Sequence, residues 1–247
     1  MTNSTTSMSW NDPIAEQYTE RIHRKIPGYE YLYRLTEHLL HTQSQTSTEY
    51  YYSSASTEEK RVLIIGAGGG QEIVTLGAEH PEWRFTAIDL SEQMLNIAKQ
   101  RVKQQGITAS IEWIQGTVDD IPTHSSVTYD AATCLLVLHF IKERDQKLEL
   151  LRKIAQHMPK GAPICIACIT GKPQSPAFLW QMKAWKQHML NQQIPIDEWQ
   201  AFADSIGQQS FPISSIEVEQ LLKKSGWTTI TSYFGSFLIQ AWCAIKA

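Results

Sequence analysis

Along residues 58–170, short continuous runs of apolar residues alternate with segments in which apolar residues recur at helical spacing. Short continuous apolar runs are typical of strands that are buried on both faces of a parallel sheet. Between these runs, apolar residues recur at helical spacing, and Ser91 and Pro159 supply a helix start and a helix stop. The pattern predicts helices over 71–79, 91–102 and 143–158, and strands over 62–65, 83–88, 111–114, 130–138 and 162–169.

The C-terminal part of the chain extends the sheet in a different way. Ser214 and Glu217 have the spacing of a capping box, so a helix is expected to begin there. Two further strand candidates, 227–234 and 236–245, are separated only by Gly235, which is too short for a helical crossover. The sequence therefore predicts an α/β fold with a doubly wound, mostly parallel sheet of seven strands, the last of them antiparallel.

Two segments fall outside this rhythm. Between Trp10 and Leu40, apolar residues at helical spacing predict two helices that are joined at Pro27-Gly28. A second segment is rich in tryptophan, phenylalanine and proline and predicts a helical excursion from the sheet. We divide the chain into an N-terminal tail, helical lid and connector over 1–57, a core over 58–170, a helical insertion over 171–212, and a C-terminal helix with two strands over 213–247.

Charge and cysteine content narrow the class of protein. Lys and Arg number 22 and Asp and Glu number 25, which gives a net charge of −3, so no strong field favours nucleic acid or an anionic membrane. Four cysteines do not make a disulfide scaffold. No apolar run reaches the length of about 20 residues that a membrane span needs, and the N-terminus lacks a signal-peptide pattern. We expect a cytoplasmic protein, monomeric or homodimeric, without a membrane or nucleic-acid partner.

The most informative segment is the glycine-rich run 66–70, GAGGG, which follows a predicted strand and opens a predicted helix. Such a turn lets backbone N–H groups and a helix N-terminus approach a ligand without side-chain obstruction. The dinucleotide fingerprint G-x-G-x-x-G would need glycine where Gln71 stands, so the run fits G-x-G-x-G instead. Asp89 ends the second strand about 20 residues later, where a carboxylate can accept both ribose hydroxyls of a nucleoside.

These motifs, taken in order, resemble the motif set of the class I S-adenosylmethionine-dependent methyltransferases, which have a Rossmann-like core. The resemblance extends over residues 60–170 and includes RVLIIGAGGGQEI, FTAIDLSEQMLNIAKQRV, QGTVDDIP, YDAATCLLVLHFI and MPKGAPICIA. It implies S-adenosylmethionine as the cofactor and S-adenosylhomocysteine as the product. The cofactor-binding positions that it implies are Gly66, Ala67, Gly68, Gly70, Asp89, Leu90, Met94, Thr117, Val118, Asp119, Leu135 and Leu136.

Two positions depart from the usual pattern of this family. Ile64 stands two residues before the first glycine, where members usually carry an acid. Thr117 stands where many members have Asp. We expect the backbone N–H of Val118 to read the adenine, with Thr117 or Asp119 contacting its amino group.

Both ends of the chain are similar to the carboxy-S-adenosylmethionine synthase branch of the family, which is involved in tRNA wobble-uridine modification, and to its uncharacterised relatives. The similar segments are RIHRKIPGYEYLYRLTEHLL and SGWTTITSYFGSFLIQAWCAIK. The branch implies that Tyr29 reaches the cofactor, and that an arginine from the late helical region holds an extra carboxylate. Residues 171–223 contain no arginine, so an ordinary methyl donor is expected.

Candidate acceptor-binding residues lie after the fourth strand and in the two flanking helical segments. His139 stands where ligands bind in open α/β sheets, and it is a candidate general base or acceptor contact, with a packed histidine as the alternative. If the acceptor must lose a proton, His23 and His188 are further candidates. Packing is likewise the alternative reading for the aromatic residues. The predicted acceptor contacts are Tyr18, Arg21, His139, Trp180, Trp185 and His188.

The sequence thus predicts a methyltransferase that acts on a small-molecule acceptor by in-line methyl transfer. Alternatives are a tRNA-modification-related or carboxy-S-adenosylmethionine synthase-like enzyme, and a catalytically silent cofactor-binding protein. A nicotinamide oxidoreductase would need the third fingerprint glycine and, in its short-chain type, a Tyr-x-x-x-Lys pair, both missing here. Cys165 and Cys168 lie three apart in an apolar strand and face opposite sides, so we predict no metal site.

Overall fold

The computed structural model describes residues 21–43, 59–122 and 128–247, which contain a seven-stranded sheet. Its strands are β1 (Arg61–Ile65), β2 (Arg84–Asp89), β3 (Ser110–Gln115), β4 (Ala131–Leu135), β5 (Pro163–Ile169), β6 (Trp227–Ser236) and β7 (Ile239–Lys246). They lie in the order β3-β2-β1-β4-β5-β7-β6. The first five strands pair in parallel, and β7 pairs antiparallel with β5 and β6. The predicted seven-stranded sheet with an antiparallel last strand is confirmed.

Helices connect the strands and flank the sheet. They are α1 (Tyr29–Gln43), α2 (Gln71–Glu79), α3 (Glu92–Gln104), α4 (Arg144–Gln156), α5 (Pro176–Asn191), α6 (Ile196–Ser205) and α7 (Ser215–Lys224). Two predicted helix starts have the expected caps. The Ser91 side chain accepts a hydrogen bond from the Met94 N–H, and Ser214 forms a capping box with Glu217.

Both faces of the sheet are covered, which explains why its strands are continuous apolar runs. On β1, Val62 and Ile64 face one buried cluster that includes apolar residues of α1, α2, α3, α5 and α6. Leu63 and Ile65 face a second cluster with α4 and α7. The carboxyl ends of the five parallel strands therefore meet at one edge of a fully packed core, and their loops are the part left to bind a ligand.

Strand β4 is shorter than the predicted 130–138. It ends at Leu135 because Leu136 has a φ of +61°, a left-handed conformation that an extended strand cannot contain. A short 3₁₀ helix, Leu138–Phe140, follows. The apolar run continues past the strand because Leu138 is buried beneath it, so hydrophobicity alone did not mark the strand end.

The hairpin between β6 and β7 turns at a different place from the prediction. Gly235 lies inside β6 and pairs with Gln240, and Phe237 and Leu238 make the two-residue turn. Phe237 has a φ of +48°, and the carbonyl of Leu238 accepts a bond of 2.7 Å from the backbone N–H of Thr170. The turn is held by the end of β5, which is a long-range contact that local glycine chemistry does not reveal.

The predicted break at Pro27-Gly28 is confirmed, since residues 21–25 are helical and α1 begins at Tyr29. Most of the first predicted helix, including Tyr18, and the predicted connector lie outside the described residues. Both α5 and α6 fall within the predicted insertion, and the four-part division of the chain stays a prediction. Among the described helices, none is long and apolar enough to cross a membrane.

Residues 21–25 lie against α5 and α6 through contacts that we call the N-terminal clasp. The indole N–H of Trp185 donates to the carbonyl of Lys25 at 2.7 Å. Glu198 forms an ion pair with Lys25 at 2.8 Å and a second one with Arg21. Burial raises the pKa of Glu198, but the bonds and charges of Lys25 and Arg21 outweigh it and lower that pKa. The clasp ion pairs are therefore present at neutral pH and weaken only as the pH falls through the acid range.

Glu198→Ala is expected to open the N-terminal clasp without unfolding the core. Trypsin should cleave after Arg21, Arg24 and Lys25 about fivefold faster, because losing about 1 kcal/mol of ion-pair energy raises the opened fraction by that factor. Limited proteolysis followed by mass spectrometry measures the rates. Glu149→Ala, on the exposed face of α4, is the matched control. Equal cleavage rates in the two variants would contradict a stabilising clasp.

Candidate functional site

The loop after β1 is tied to the neighbouring strand at its first two residues. The backbone N–H groups of Gly66 and Ala67 both donate to the carbonyl of Ile88, at 2.8 and 2.9 Å. Gly66 has a φ of +71°, and a Cβ at this position would stand 2.2 Å from a methyl carbon of Val137. The first glycine is therefore required by both its backbone conformation and the close approach of the loop after β4.

Gly70 closes the same loop and caps α2. It has a φ of +78°, and a Cβ on it would lie 2.9 Å from the Cβ of Ala98 on α3. The absence of a side chain lets α3 pack directly against the loop. The N-terminus of α2, with its unsatisfied N–H groups, consequently opens at the carboxyl edge of the sheet.

Asp89, the last residue of β2, has a carboxylate that is fixed from two sides. The backbone N–H of Gly68 donates to one oxygen at 2.8 Å, and that of Ser91 donates to the other at 2.9 Å. Burial raises the pKa of Asp89, and the backbone bonds from Ser91, Gly68 and Leu90 lower it, with a net rise. A carboxylate has about four acceptor positions, so the positions that these backbone bonds leave over are available to ligand hydroxyls. This geometry fits the predicted binding of a ribose diol.

Leu90 and Met94 occupy different positions beside this carboxylate. Leu90 is 72% exposed and offers an open apolar surface next to Asp89. Met94 is buried, and its methyl carbon lies 3.6 Å from where a Cβ on Gly68 would stand. Leu90 is thus available to a flat ligand, whereas Met94 supports the loop from below.

The turn after β3 is closed by its own side chains. The Asp120 carboxylate accepts from the backbone N–H of Thr117 at 2.8 Å and from its hydroxyl at 3.1 Å. Asp119 instead forms an ion pair of 2.6 Å with Lys153 of α4. No acceptor within the described parts of the chain bonds the backbone N–H of Val118. The Val118 N–H is therefore available for the predicted adenine contact, whereas Thr117 and Asp119, the two candidates for contacting the adenine amino group, are both engaged within the protein. These three roles stay predictions.

The end of β4 carries the backbone strain of the site. Leu135 is buried, and Leu136 holds its left-handed φ while its N–H donates to the carbonyl of Ala167 at 2.7 Å. A non-glycine residue in this conformation costs about 1–2 kcal/mol. The strain turns the chain sharply away from the sheet and brings Val137 over the first glycine of the loop.

His139 is buried and its ring is part of the packing. Its Nδ1 accepts a bond of 3.3 Å from the backbone N–H of Ile169. Burial, with a smaller effect from the charge of Lys147, lowers the pKa of His139 to about 3. A neutral imidazole with so low a pKa is a weak base near neutral pH, so the structure argues against the predicted general-base role and favours the packed alternative.

Lys147 is a buried residue of this region that the sequence analysis did not single out. Its ammonium donates to the carbonyls of Leu138 at 2.7 Å and Phe211 at 3.0 Å, and also to that of Ile141. Burial lowers its pKa to about 8. These bonds tie the segment after β4 to the segment that precedes α7. A lysine on a helix with apolar neighbours gave no sequence signal for this role.

Three of the predicted acceptor contacts, Arg21, Trp185 and His188, lie together at the N-terminal clasp. Trp185 is buried in the N-terminal clasp, and Nε2 of His188 lies 3.1 Å from the carbonyl of Arg24. Arg21 is paired with Glu198, and Tyr18 lies outside the described residues. Trp180 is 75% exposed on α5 and remains available to a ligand.

Tyr29, the predicted cofactor contact of the N-terminal region, is buried at the start of α1. Its hydroxyl lies 3.1 Å from that of Tyr33, and the two rings meet edge to face at 4.8 Å. The adjoining turn packs against β6, since a Cβ on Gly28 would lie 3.3 Å from the ring of Phe234. The role of Tyr29 toward the cofactor stays a prediction.

Arg101 is a second residue that the sequence analysis missed. From α3 its guanidinium donates to the carbonyl of Gly69 at 2.5 Å and to the side-chain oxygen of Gln71 at 2.8 Å. It holds the outer half of the glycine loop, as Asp89 holds the inner half. The sequence offered one signal for this role. Arg101 follows Ala98 by three residues, so both lie on the helix face that touches the loop.

A cluster of Glu37, His41 and His80 lies at the opposite, amino edge of the sheet. Their ligand atoms fall within 4.8 Å of one another. His80 is stacked between His41 and Trp83, with centroid distances of 4.9 and 3.9 Å, and its Nε2 lies 2.7 Å from the Glu37 carboxylate. Because the rings are stacked, their nitrogen lone pairs lie in nearly parallel planes. The same stack packs against Lys60, whose ammonium lies 4.8 Å from the Trp83 ring. We assign the cluster a packing role.

Comparison with known proteins agrees with this arrangement. Residues 62–161 match a protein family described as "Methyltransferase domain". This segment is a methyltransferase domain. The match includes the glycine loop, Asp89 and the turn after β3. The predicted class I fold is confirmed for this chain.

Relatives of the methyltransferase domain share the fold at low sequence identity. The mitochondrial 2-methoxy-6-polyprenyl-1,4-benzoquinol methylase of Bos taurus is 22% identical over 160 residues, which is 64% of this chain but 46% of that protein. The magnesium protoporphyrin IX methyltransferase of Synechocystis PCC 6803 with bound SAH superposes with a TM-score of 0.66 at 12% identity, over 96% of both chains. An O-methyltransferase family 2 protein of Planctomyces limnophilus DSM 3776, in complex with apigenin, gives a TM-score of 0.64 at 16% identity, over 98% of this chain and 63% of that chain.

Gly70→Ala is expected to destabilise the methyltransferase domain more than the same change at Gly106. Both glycines have positive φ, so each alanine costs about 1–2 kcal/mol of backbone strain. Only Gly70 adds a clash with Ala98, which costs about 1–3 kcal/mol more, since nothing lies within 4 Å of a Cβ on Gly106. Urea unfolding measures both free energies. Equal losses would contradict the close helix approach.

The His139 imidazole is expected to stay neutral throughout the range from pH 5 to 8. NMR of the protein with labelled histidine should show one ring whose signals do not titrate there, and His139→Gln should remove that ring from the spectrum. The unperturbed histidine pKa is about 6.5. A His139 midpoint between 6 and 7 would contradict the assignment and restore it as a candidate base.

Proposed function

We propose that the chain is an S-adenosylmethionine-dependent methyltransferase that transfers the methyl group in line to a small-molecule acceptor. The observation that carries the proposal is the contact between the Asp89 carboxylate and the Gly68 N–H, at 2.8 Å. It joins a ribose-binding acid and a loop free of side chains in one rigid unit, at the edge of the sheet where ligands bind.

The residues present fit this cofactor. Asp89 can accept the ribose hydroxyls, the glycine loop and the N-terminus of α2 can take the amino-acid tail, and Leu90 can cover the adenine. The backbone N–H of Val118 supplies a donor toward the adenine edge. These assignments follow from the chemistry of the groups and from the positions at which the structure holds them.

The names of the structural relatives support both the proposed cofactor and the proposed small-molecule acceptor. The Synechocystis enzyme carries bound SAH, and human N-acetylserotonin methyltransferase, with a TM-score of 0.54 and 14% identity over 97% of this chain and 60% of that one, is described in complex with SAM. Apigenin and magnesium protoporphyrin IX are small molecules. A small-molecule acceptor is therefore favoured over RNA, in agreement with the slightly acidic charge balance.

The protein's contribution to the reaction is mainly alignment and exclusion of water. Bound S-adenosylmethionine supplies a methyl group that its positive sulfur already activates. Asp89 and the glycine loop fix the position of that group relative to the sheet, and holding the acceptor in line with it contributes several kcal/mol by proximity. Because His139 is neutral and buried, an acceptor that must lose a proton would need another base, for which exposed His23 is the remaining described candidate.

The acceptor is expected to bind between the segment after β4 and the helices α5 and α6. Trp180 of α5 is exposed, so its aromatic surface is available to an acceptor. Residues 171–223 contain no arginine to hold an additional carboxylate, which favours an ordinary methyl donor over a carboxylated one. Cytoplasmic location and a monomeric or homodimeric state are parts of the same proposal.

Asp89→Ala is expected to weaken the binding of S-adenosylmethionine by about 10- to 100-fold. The reason is the loss of charge-assisted hydrogen bonds worth about 1.5–3 kcal/mol. Isothermal titration calorimetry with S-adenosylmethionine and with S-adenosylhomocysteine measures the change. Asp145→Ala changes an exposed acid in the first turn of α4, which packs on the other face of the sheet from α2 and α3; it is the matched control and should bind like the wild type.

Unchanged cofactor affinity in Asp89→Ala would overturn the proposal. Incubation of the wild type with labelled cofactor and a metabolite panel tests for turnover. Tight cofactor binding with no turnover on any acceptor would instead favour the catalytically silent alternative. A salt-dependent shift of tRNA mobility would favour an RNA substrate.

A further inference from the structure

Glu72 lies in the first turn of α2, two residues after the glycine loop, and its side chain is buried. Only 3% of the residue is exposed, and Oε1 has no hydrogen-bond partner among the residues that the structure describes. A buried carboxyl oxygen without a donor is costly in a folded protein. Such an orphaned acceptor needs an explanation, and a ligand that donates to it is one.

Residues on three elements of the site interact electrostatically with this carboxyl. Asp89 at the end of β2 and Arg101 of α3 both act on it electrostatically, in opposite directions. Glu72 in turn contributes to the raised pKa of the Cys134 thiol on β4, although burial and Cys168 contribute more. Glu72 is buried in the first turn of α2, which begins at the carboxyl edge where the cofactor tail is proposed to bind.

The adjoining strand offers no other acid. Ile64, at the end of β1 before the loop, is buried and apolar, and its neighbour in register on β4 is Thr133, whose hydroxyl is also without a partner among the described residues. Arg101 acts on Glu72 electrostatically, but its guanidinium is already bonded to Gly69 and Gln71. Glu72 therefore has no ion-pair partner within the described part of the chain.

We propose that Glu72 binds the α-ammonium group of the S-adenosylmethionine tail. The inference rests on the proposed function. The ammonium group has three N–H donors and a positive charge, so it can supply the hydrogen bond and the ion-pair partner that the Glu72 oxygen lacks. The sulfonium offers charge but no donor, and the ribose hydroxyls are taken by Asp89.

The protonation state of Glu72 changes in this step. Burial, together with the charge of Asp89, raises its pKa to about 8, while its own backbone N–H and Arg101 lower it less. The empty protein therefore holds the carboxyl protonated at pH 7. On binding, the Glu72 O–H bond breaks, the carboxylate pairs with the ammonium, and the proton passes to the buffer.

Calorimetry in two buffers of different ionisation enthalpy counts this proton. At pH 7 the wild type should release about 0.9 proton more per cofactor than Glu72→Gln, and near pH 9.5 the difference should vanish because the carboxyl is already ionised. The amino group of the cofactor, with a pKa near 7.7–8.0, can only add proton uptake, which has the opposite sign. Glu72→Gln should also weaken binding about 10- to 100-fold.

Glu79→Gln is the matched control, since Glu79 ends the same helix and is exposed. It should release and bind like the wild type. If Glu72→Gln does not fold, the wild type alone still tests the inference at pH 6, where the amino group of the cofactor is already protonated and takes up no proton. A net release of about one proton per bound cofactor is expected there, and no net release at pH 6 would overturn the inference.

Thermal unfolding of the empty protein gives a readout that does not depend on the cofactor. A carboxyl whose pKa is raised in the folded state stabilises it fully below the ordinary pKa of about 4.5, and that stability is lost as the pH rises through about 8. The melting temperature of Glu72→Gln minus that of the wild type should therefore rise as the pH is raised from 5 to 9.

Two failures are distinguishable. If the wild type binds the cofactor while Glu72→Gln binds equally well and releases the same number of protons, the inference is wrong and the proposed function stands. If the wild type does not bind S-adenosylmethionine, the proposed function fails and the inference fails with it.

Discussion

The end of β2 is the point on which the whole candidate site depends. The carbonyl of Ile88 accepts the first two N–H groups of the glycine loop, the Asp89 carboxylate accepts the N–H of Gly68, and the Asp89 carbonyl accepts that of Gly116. Two loops from neighbouring strands are thus held by two consecutive residues. The groups that would meet a ligand on this edge are held mainly by backbone contacts, with the Arg101 side chain bonding the outer part of the glycine loop, which is how a site can be ordered before the ligand arrives.

Local sequence patterns were sufficient to predict most of the fold. Buried strands between two layers of helices must be continuously apolar, and the caps at Ser91 and Ser214 satisfy N–H groups that every helix leaves unpaired. The two errors concern where strands end. At Leu136 and at Phe237 the chain adopts a left-handed conformation without glycine. In both places a distant partner, the carbonyl of Ala167 or the N–H of Thr170, holds the turn.

The candidate site was only partly predictable. The glycine loop and Asp89 are visible because their chemistry is tied to a fixed place between strand and helix. Arg101, Lys147 and Glu72 were not, because an ionisable residue on a helix looks the same in sequence whether it is solvated or buried. His139 shows the converse, since its position at a strand end suggested chemistry while its burial suppresses its basicity.

The N-terminal clasp has a consequence for the exchange of segments between related proteins. Trp185 and Glu198 belong to the insertion, and their partners Lys25 and Arg21 belong to a segment that precedes the core. A chimera that replaced one segment alone would leave the Trp185 indole N–H and the Glu198 carboxylate without their present partners. The two pieces that flank the sheet core therefore form one module, and exchanging either of them without disrupting this junction requires moving both together.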